Sequence, residues 1–355
     1  MHPTEETTGV FRLPVFTPFD TEPTNAYVLL GERVGLFDTG LKHPQARDDL
    51  RRGLAELGLE PRDVDVVFIS HAHVDHHGLA HEFSEAAVMA GPEDVHKLQD
   101  FPGHVGAFAR AVQRLLPRWG VPASLLGALE TWSVSMAAMG DSVSRAAGLP
   151  AGEVVSGFGD PWTVLALPGH TEGGLGLYRE TDGVLLVGDH LLERITPNPG
   201  LYLFLDPVGS GLGDYMASLD ALRTMGISLV LPGHGRPFRR VAGRIDEIVE
   251  QYDLRVLDVQ RAFEGGSTVF RAVSRLFPGV DTINGFLAMG EVFGHAERLV
   301  AAGALRRDRE GEVDVYGTAP GERRAAGGER RDAPDPGAAG AESEGAGGGR
   351  REEPR

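Results

Sequence analysis

The sequence predicts an α+β fold of short buried strands, followed by a small helical module and an unstructured tail. Three observations predict it. Apolar runs of strand length end repeatedly in polar turn motifs. A segment of helical spacing, residues 97–150, interrupts those runs. The C-terminal part then changes character twice, first to helices and a hairpin, then to a composition without large apolar residues.

The elements follow in order. NAYVLL (Asn25–Leu30) and VGLFDTG (Val34–Gly40) read as the arms of a hairpin. Pro44 to Leu57 carries Leu50, Leu54 and Leu57 on one helical face. VDVVFIS (Val64–Ser70) is a buried strand that runs into HAHVDHHG (His71–Gly78), and Ala86 to Ala90 is another short strand. Within 97–150, breaks at Pro102, Pro117 and Pro122 divide two or three helices. Phe101, Phe108, Trp119, Trp132 and Met136 there either pack the core or offer apolar surface over a site. Three further strands end in polar motifs: WTVLALPGH at His170, GVLLVGDH with Asp189, and ISLVLPGHG with His234.

The helix Arg244 to Phe263 aligns Ile245, Ile248, Tyr252, Val256, Val259 and Phe263. Helices Thr268–Phe277 and Thr282–Gly303 and a hairpin Ala304–Gly317 then give the outline of a winged helix. The expected organisation is a main domain over 1–243, a winged-helix-like module over 244–317 and a disordered tail over 318–355.

Composition bounds the function. At 355 residues, 41% hydrophobic and 24% charged, this is the profile of a soluble globular chain. It has no cysteine, which removes disulfides, thiol nucleophiles and Cys-ligated metals together. The net charge of −17 disfavours non-specific nucleic-acid binding. The N-terminal residues lack the basic and apolar regions of a signal peptide, and no run approaches the ~18 apolar residues of a membrane span. A cytoplasmic location, with no membrane partner, is the expectation.

Five of the 13 histidines stand in the polar motifs. These are His71-x-His73-x-Asp75-His76, Pro168-Gly169-His170, Gly188-Asp189 and Pro232-Gly233-His234. Imidazole nitrogen and carboxylate oxygen suit zinc, and also iron or manganese. In an extended turn after a strand His71 and His73 project to one side, while Asp75 and His76 open a helix beside them. Two ions about 3.5–4 Å apart can share a hydroxide and polarise the bond it attacks. His2, His43, His81, His96 and His104 are expected to be surface or packing residues.

These motifs resemble the metallo-β-lactamase superfamily, over roughly Val10 to Gly235. The resemblance implies a four-layer αββα sandwich with two zinc ions at one edge. It implies that His71, His73 and His170 hold the first ion, that Asp75, His76 and His234 hold the second, and that Asp189 bridges them. Asp38 in FDTG matches the residue that supports the site without ligating. PGHTEGGLGLY and LLVGDHLLERITPNPG resemble glyoxalase II-like hydrolases, and GHAERLVAAGALRRD is similar to the tail of the lactamase-like protein 2 subgroup. The absent cysteine excludes lactamases that use one as a ligand.

The implied activity is a dinuclear hydrolase with a bridging hydroxide, acting on a thioester or other acyl substrate, small or carrier-bound. Asp75 is the candidate to orient the nucleophile or shuttle its proton. His190, beside Asp189, is read as a supporting or packing residue, with assistance at the pocket as the alternative; Asn198 as a pocket-rim or plain turn residue; and His295 as structural. The competing readings are an endoribonuclease and a mononuclear-iron, persulfide dioxygenase-like oxidoreductase. Against the nuclease, helix Thr282–Gly303 has Arg298 as its only Lys or Arg. The C-terminal module is expected to pack on the main domain or to form a homodimer contact.

Overall fold

A computed structural model describes residues 2–19 and 22–319. Strands β1 (Thr4–Thr7), β2 (Val10–Val15), β3 (Thr24–Leu30) and β4 (Val34–Phe37) pair antiparallel in sequence. After α1 (Pro44–Glu56), β5 (Val66–Ile69) joins β4 in parallel. Then come α2 (Val74–His77), β6 (Ala87–Ala90), α3 (Pro92–Gln99), α4 (Phe101–Arg118), α5 (Ala123–Ala137) and β7 (Ala147–Gly148). β6 and β7 extend the same sheet to seven strands in chain order.

The second sheet has the order β14-β11-β10-β9-β8. It is built from β8 (Val154–Val155), β9 (Trp162–Ala166), β10 (Leu175–Arg179) and β11 (Val184–Gly188). The hairpin β12 (Leu201–Tyr202) and β13 (Gly209–Ser210) and helix α6 (Leu212–Arg223) intervene before β14 (Leu229–Pro232), which lies parallel to β11. Helices α7 (Val241–Ala262), α8 (Val269–Leu276) and α9 (Thr282–Ala301) and the hairpin β15 (Leu305–Glu310) and β16 (Val313–Thr318) complete the described chain. Among the described residues no helix is long and apolar enough to cross a membrane.

Side-chain alternation along the strands explains the layers, because successive residues face opposite sides of a sheet. β5 reads VVFI and is buried throughout. Its Val66 and Phe68 meet Leu177, Leu186 and Leu231 of the second sheet, while Val67 and Ile69 meet Leu50 and Leu54 of α1. β11 divides likewise: Val184 and Leu186 face the first sheet, and Leu185 and Val187 face Leu219 of α6 and Ile245 and Ile248 of α7. Strands buried on both faces read as continuous apolar runs. The result is helix, sheet, sheet, helix, the αββα arrangement expected.

A further core lies outside the sandwich. Val112, Leu115, Leu116 and Trp119, at the end of α4, pack with Val259 and Phe263 of α7, Val269 and Val273 of α8, Val292, Phe293 and Ala296 of α9, and Tyr316 of β16. Segment 97–150 and the C-terminal helices and hairpin therefore share one apolar interior. The segment's proline breaks need one correction. Pro102 opens α4 and Pro122 caps α5, but Pro117 sits inside the last turn of α4, which ends one residue later at Arg118. Several elements were not anticipated, among them β1, α3, β10, the β12–β13 hairpin and α6. The expected tail started at Thr318, which closes β16, and residues 320–355 lie outside the described residues.

Trp119 is 1% exposed, and its ring centroid lies 4.9 Å from that of Phe293. Trp119→Ala is expected to destabilise the protein by about 3–5 kcal/mol. Chemical denaturation would read this as a lowered midpoint at unchanged slope.

Candidate metal centre

Every sequence-predicted site residue arrives at one edge of the sandwich. β5 delivers His71, His73, Asp75 and His76 from its C-terminal end, the last two on the single turn of α2. Asp189 and His234 follow the ends of β11 and β14, and the parallel register Gly188↔Pro232 sets them side by side. His170 stands in the turn between β9 and β10. The close approach requires glycine at 233, where a Cβ would lie 2.3 Å from Asp189 Oδ1 and 2.8 Å from His76 Cε1.

The donor atoms converge in overlapping groups: His71, His73 and His170; His71, His76 and Asp189; Asp75, His76 and His234. His73 Nδ1 lies 2.9 Å from His71 Nε2 and 3.1 Å from His170 Nε2. Asp189 Oδ2 lies 3.5 Å from His76 Nε2, 3.4 Å from His234 Nε2 and 4.0 Å from His170 Nε2, so it reaches toward both ends of the cluster. Asp75 Oδ2 is 3.3 Å from His234 Nε2 and 3.8 Å from His76 Nε2.

Surrounding acceptors fix the tautomers. Ser70 Oγ gives its one hydrogen to Asp38 Oδ2, 2.7 Å away, and so accepts from His71 Nδ1 at 2.9 Å. His76 Nδ1 donates to Asp38 Oδ2 at 2.8 Å. His170 Nδ1 donates to the Asn198 carbonyl and His234 Nδ1 to the Glu22 carbonyl, both at 2.9 Å. With Nδ1 protonated, each of these imidazoles in its neutral form turns an Nε2 lone pair into the cluster. Outer partners of metal-binding histidines act in this way. His76 Nε2 and Asp189 Oδ1 are buried without any hydrogen-bond partner among the described residues. Converging imidazoles and carboxylates with orphaned buried polar atoms are unfavourable unless a cation lies among them, so the residues fit the divalent metal that such ligands select.

The electrostatics of the two ends differ. Burial, reinforced by His170, pushes His73 down to about 3, and burial also lowers His71 and His170. At His234 burial opposes the charge, but the Asp189 and Asp75 carboxylates outweigh it and raise the imidazole to about 9. Asp75 and Asp189 are held below the usual carboxylate range, since His76 and His234 outweigh the cost of burial. At pH 7 the metal-free protein therefore keeps a proton on His234, while His71, His73 and His170 are neutral. Loading the Asp75/His76/His234 position should release protons, and its affinity should weaken as pH falls below about 9. An indicator-dye titration with zinc in weak buffer checks this; proton release independent of pH would contradict it.

The other singled-out residues separate clearly. Asp38 is fully buried at φ 61°, a backbone conformation uncommon outside glycine, and holds Ser70 and His76. His190 is buried against Tyr215, ring centroids 4.9 Å apart, outside the donor groups. Asn198 contributes through its backbone carbonyl. His295 is buried on α9 beside Tyr252. His43 caps α1, and His2 pairs with Glu56. Phe101 and Trp119 are core residues, whereas Phe108 is only partly buried. Ser70 and Asp94 were not anticipated; Ser70's signal was its place between a strand and the first histidine.

Comparison with known proteins places these features. The family model described as the metallo-beta-lactamase superfamily matches residues 19–234. The Bacillus subtilis (strain 168) protein named Probable metallo-hydrolase YqjP is 31% identical over 320 residues, covering 88% of this chain and 98% of its own length. The Beta-lactamase-like protein 2 homolog of Caenorhabditis elegans is 23% identical over 234 residues, 66% of this chain and 63% of that protein. A metallo-beta-lactamase family protein from Thermus thermophilus, known from its crystal structure, superposes with a TM-score of 0.77 at 31% identity, over 88% of this chain and 99% of that one.

Proposed function

The chain belongs to the metallo-beta-lactamase superfamily, and from that premise we propose that it is a dinuclear metal-dependent hydrolase whose substrate is an acyl compound, a thioester first. The observation that carries this reading is the convergence of imidazole and carboxylate donors in overlapping groups that share His71 and His76. Zinc suits this donor set, and iron and manganese are accepted by the same atoms. Two such ions, when bound, activate water as a nucleophile and polarise the carbonyl under attack.

The chain's own residues supply the rest. His71, His73 and His170 would hold one ion, Asp75, His76 and His234 the other, and Asp189 would reach both. Asp75 is the carboxylate placed to orient the attacking water and to take its proton. Its pKa, held below the usual carboxylate range by His76 and His234, keeps it ionised at neutral pH and so able to accept a hydrogen bond from that water.

The acyl preference draws on the surroundings. The loop after Asn198 is tied to the His170 turn by Gly200 N donating to Gly169 O at 2.7 Å. From it rises the β12–β13 hairpin, whose Phe204 and Leu205 are about half exposed (49% and 51%). Phe204 faces His104 of α4, ring centroids 5.7 Å apart. Apolar surface rooted at the site suits an acyl chain better than a phosphate backbone. Helix α9, the counterpart of a recognition helix, spends Phe286, Met289, Val292, Phe293 and Leu299 on the core. A panel of acyl-CoA and carrier-bound thioesters, lactones and short RNAs tests the proposal. Turnover of thioesters is the expected result, and cleavage of RNA alone would overturn the acyl reading.

A further inference from the structure

A second buried carboxylate, besides Asp38, stands against the ligand loops. Asp94 belongs to the first turn of α3 and is 0% exposed. Its Oδ2 accepts from the backbone N–H of Ala72 at 2.9 Å and from Thr171 Oγ1 at 3.2 Å. Its Oδ1 accepts from Lys97 Nζ at 2.7 Å, and Lys97 continues to Glu172 at 3.1 Å. Ala72 lies between His71 and His73, and Thr171 follows His170. One carboxylate thus ties together the two chain segments that bear the three-histidine group. The chain after His170 is pressed close against the start of α3: a Cβ on Gly91 would meet Gly173 O at 2.1 Å.

The chemistry suits a clamp. An ionised carboxylate accepts several short bonds at once, and charge-assisted bonds are stronger and more rigid than neutral ones. A buried carboxylate needs a counter-charge to remain ionised. Lys97, largely buried itself, supplies it. Asp38 grips the same loop through Ser70 and His76, but none of its bonds reaches the His170 turn. Leu175 N donates to Ser70 O at 2.7 Å and also joins these segments, but the Asp94 contacts stand immediately beside His73 and His170, whose rings meet edge-on at 4.7 Å between centroids.

We infer that Asp94, with Lys97 as its counter-ion, is a positioning residue that sets the spacing of His170 from His71 and His73, and thereby the metal affinity of the three-histidine position but not of the Asp75/His76/His234 position. This rests on the metal centre and not on the choice of substrate. A protein that binds two zinc ions but hydrolyses no acyl compound would sink the acyl reading and leave this inference standing.

The test is zinc affinity, measured by competition with a chelating dye in two backgrounds. His234→Ala disables the second position and isolates the first; His170→Ala does the reverse. Asp94→Ala is expected to weaken zinc binding about 10- to 100-fold in the His234→Ala background and to leave it unchanged in the His170→Ala background. Thr171→Val removes one of the two loop contacts and should give a smaller loss of the same selectivity, at an unchanged melting temperature. If Asp94→Ala fails to fold, Thr171→Val decides the question alone. Equal losses in both backgrounds, or wild-type affinity in the folded variants, would overturn the inference.

Discussion

Asp75→Ala is expected to lower turnover by about 10²- to 10⁴-fold, the range associated with a positioned general base, and to weaken the second metal position as well. Both effects follow from one oxygen. Asp75 Oδ2 lies 3.3 Å from His234 Nε2 and 3.8 Å from His76 Nε2, and the side chain is only 13% exposed. Its removal takes one carboxylate from a pair that shares the same imidazoles, leaving Asp189 as the carboxylate near their Nε2 atoms. The fold should survive, because the partners of this side chain are the His76 and His234 imidazoles and not the backbone. Steady-state kinetics with metal content measured on the same sample separates the effects. Wild-type turnover with full metal content would show that Asp75 is neither ligand nor base.

Asp38→Asn is expected to have the second large effect, through a tautomer. The carboxylate accepts hydrogens from Ser70 N, Ser70 Oγ and His76 Nδ1 at 2.7, 2.7 and 2.8 Å. An amide in its place keeps the left-handed backbone conformation, which Asn tolerates, but turns an NH₂ toward one of those donors. The cheapest repair is for His76 to move its proton to Nε2 and accept at Nδ1. That removes the lone pair His76 offers to the cluster. An analogous carboxylate-to-amide change misdirects the histidine of a serine protease. The expected outcome is a folded protein whose second-position metal affinity falls about 10- to 100-fold. Unchanged affinity at that position would mean that Asp38 only stabilises a turn.

The site was legible in the sequence because its chemistry rides on strand ends. VVFIS, VLLVG and LVLP are apolar enough to be recognised without coordinates, and each hands its next residues to the same edge of the sandwich. The supporting residues were harder to read, since their roles depend on distant partners. Ser70 meets Asp38 across 32 positions, and Asp94 meets Thr171 across 77. Helix α6 did carry a signal, with Leu212, Tyr215, Leu219 and Leu222 on one face. Its flanking glycines make it look like loop. Strand β10 was obscured by the glycine-rich GGLGLY. The shared core of α4 with α7, α8 and α9 was illegible for another reason: periodicity reveals which face of a helix is apolar, not what that face will meet.

The proposed centre for two ions comprises His71, His73, Asp75, His76, His170, Asp189 and His234. The metal-to-chain ratio of purified protein, by elemental analysis, tests it most directly. Two divalent ions per chain, reduced in His234→Ala, are expected. No bound metal, or a single iron per chain that survives His234→Ala, would contradict it.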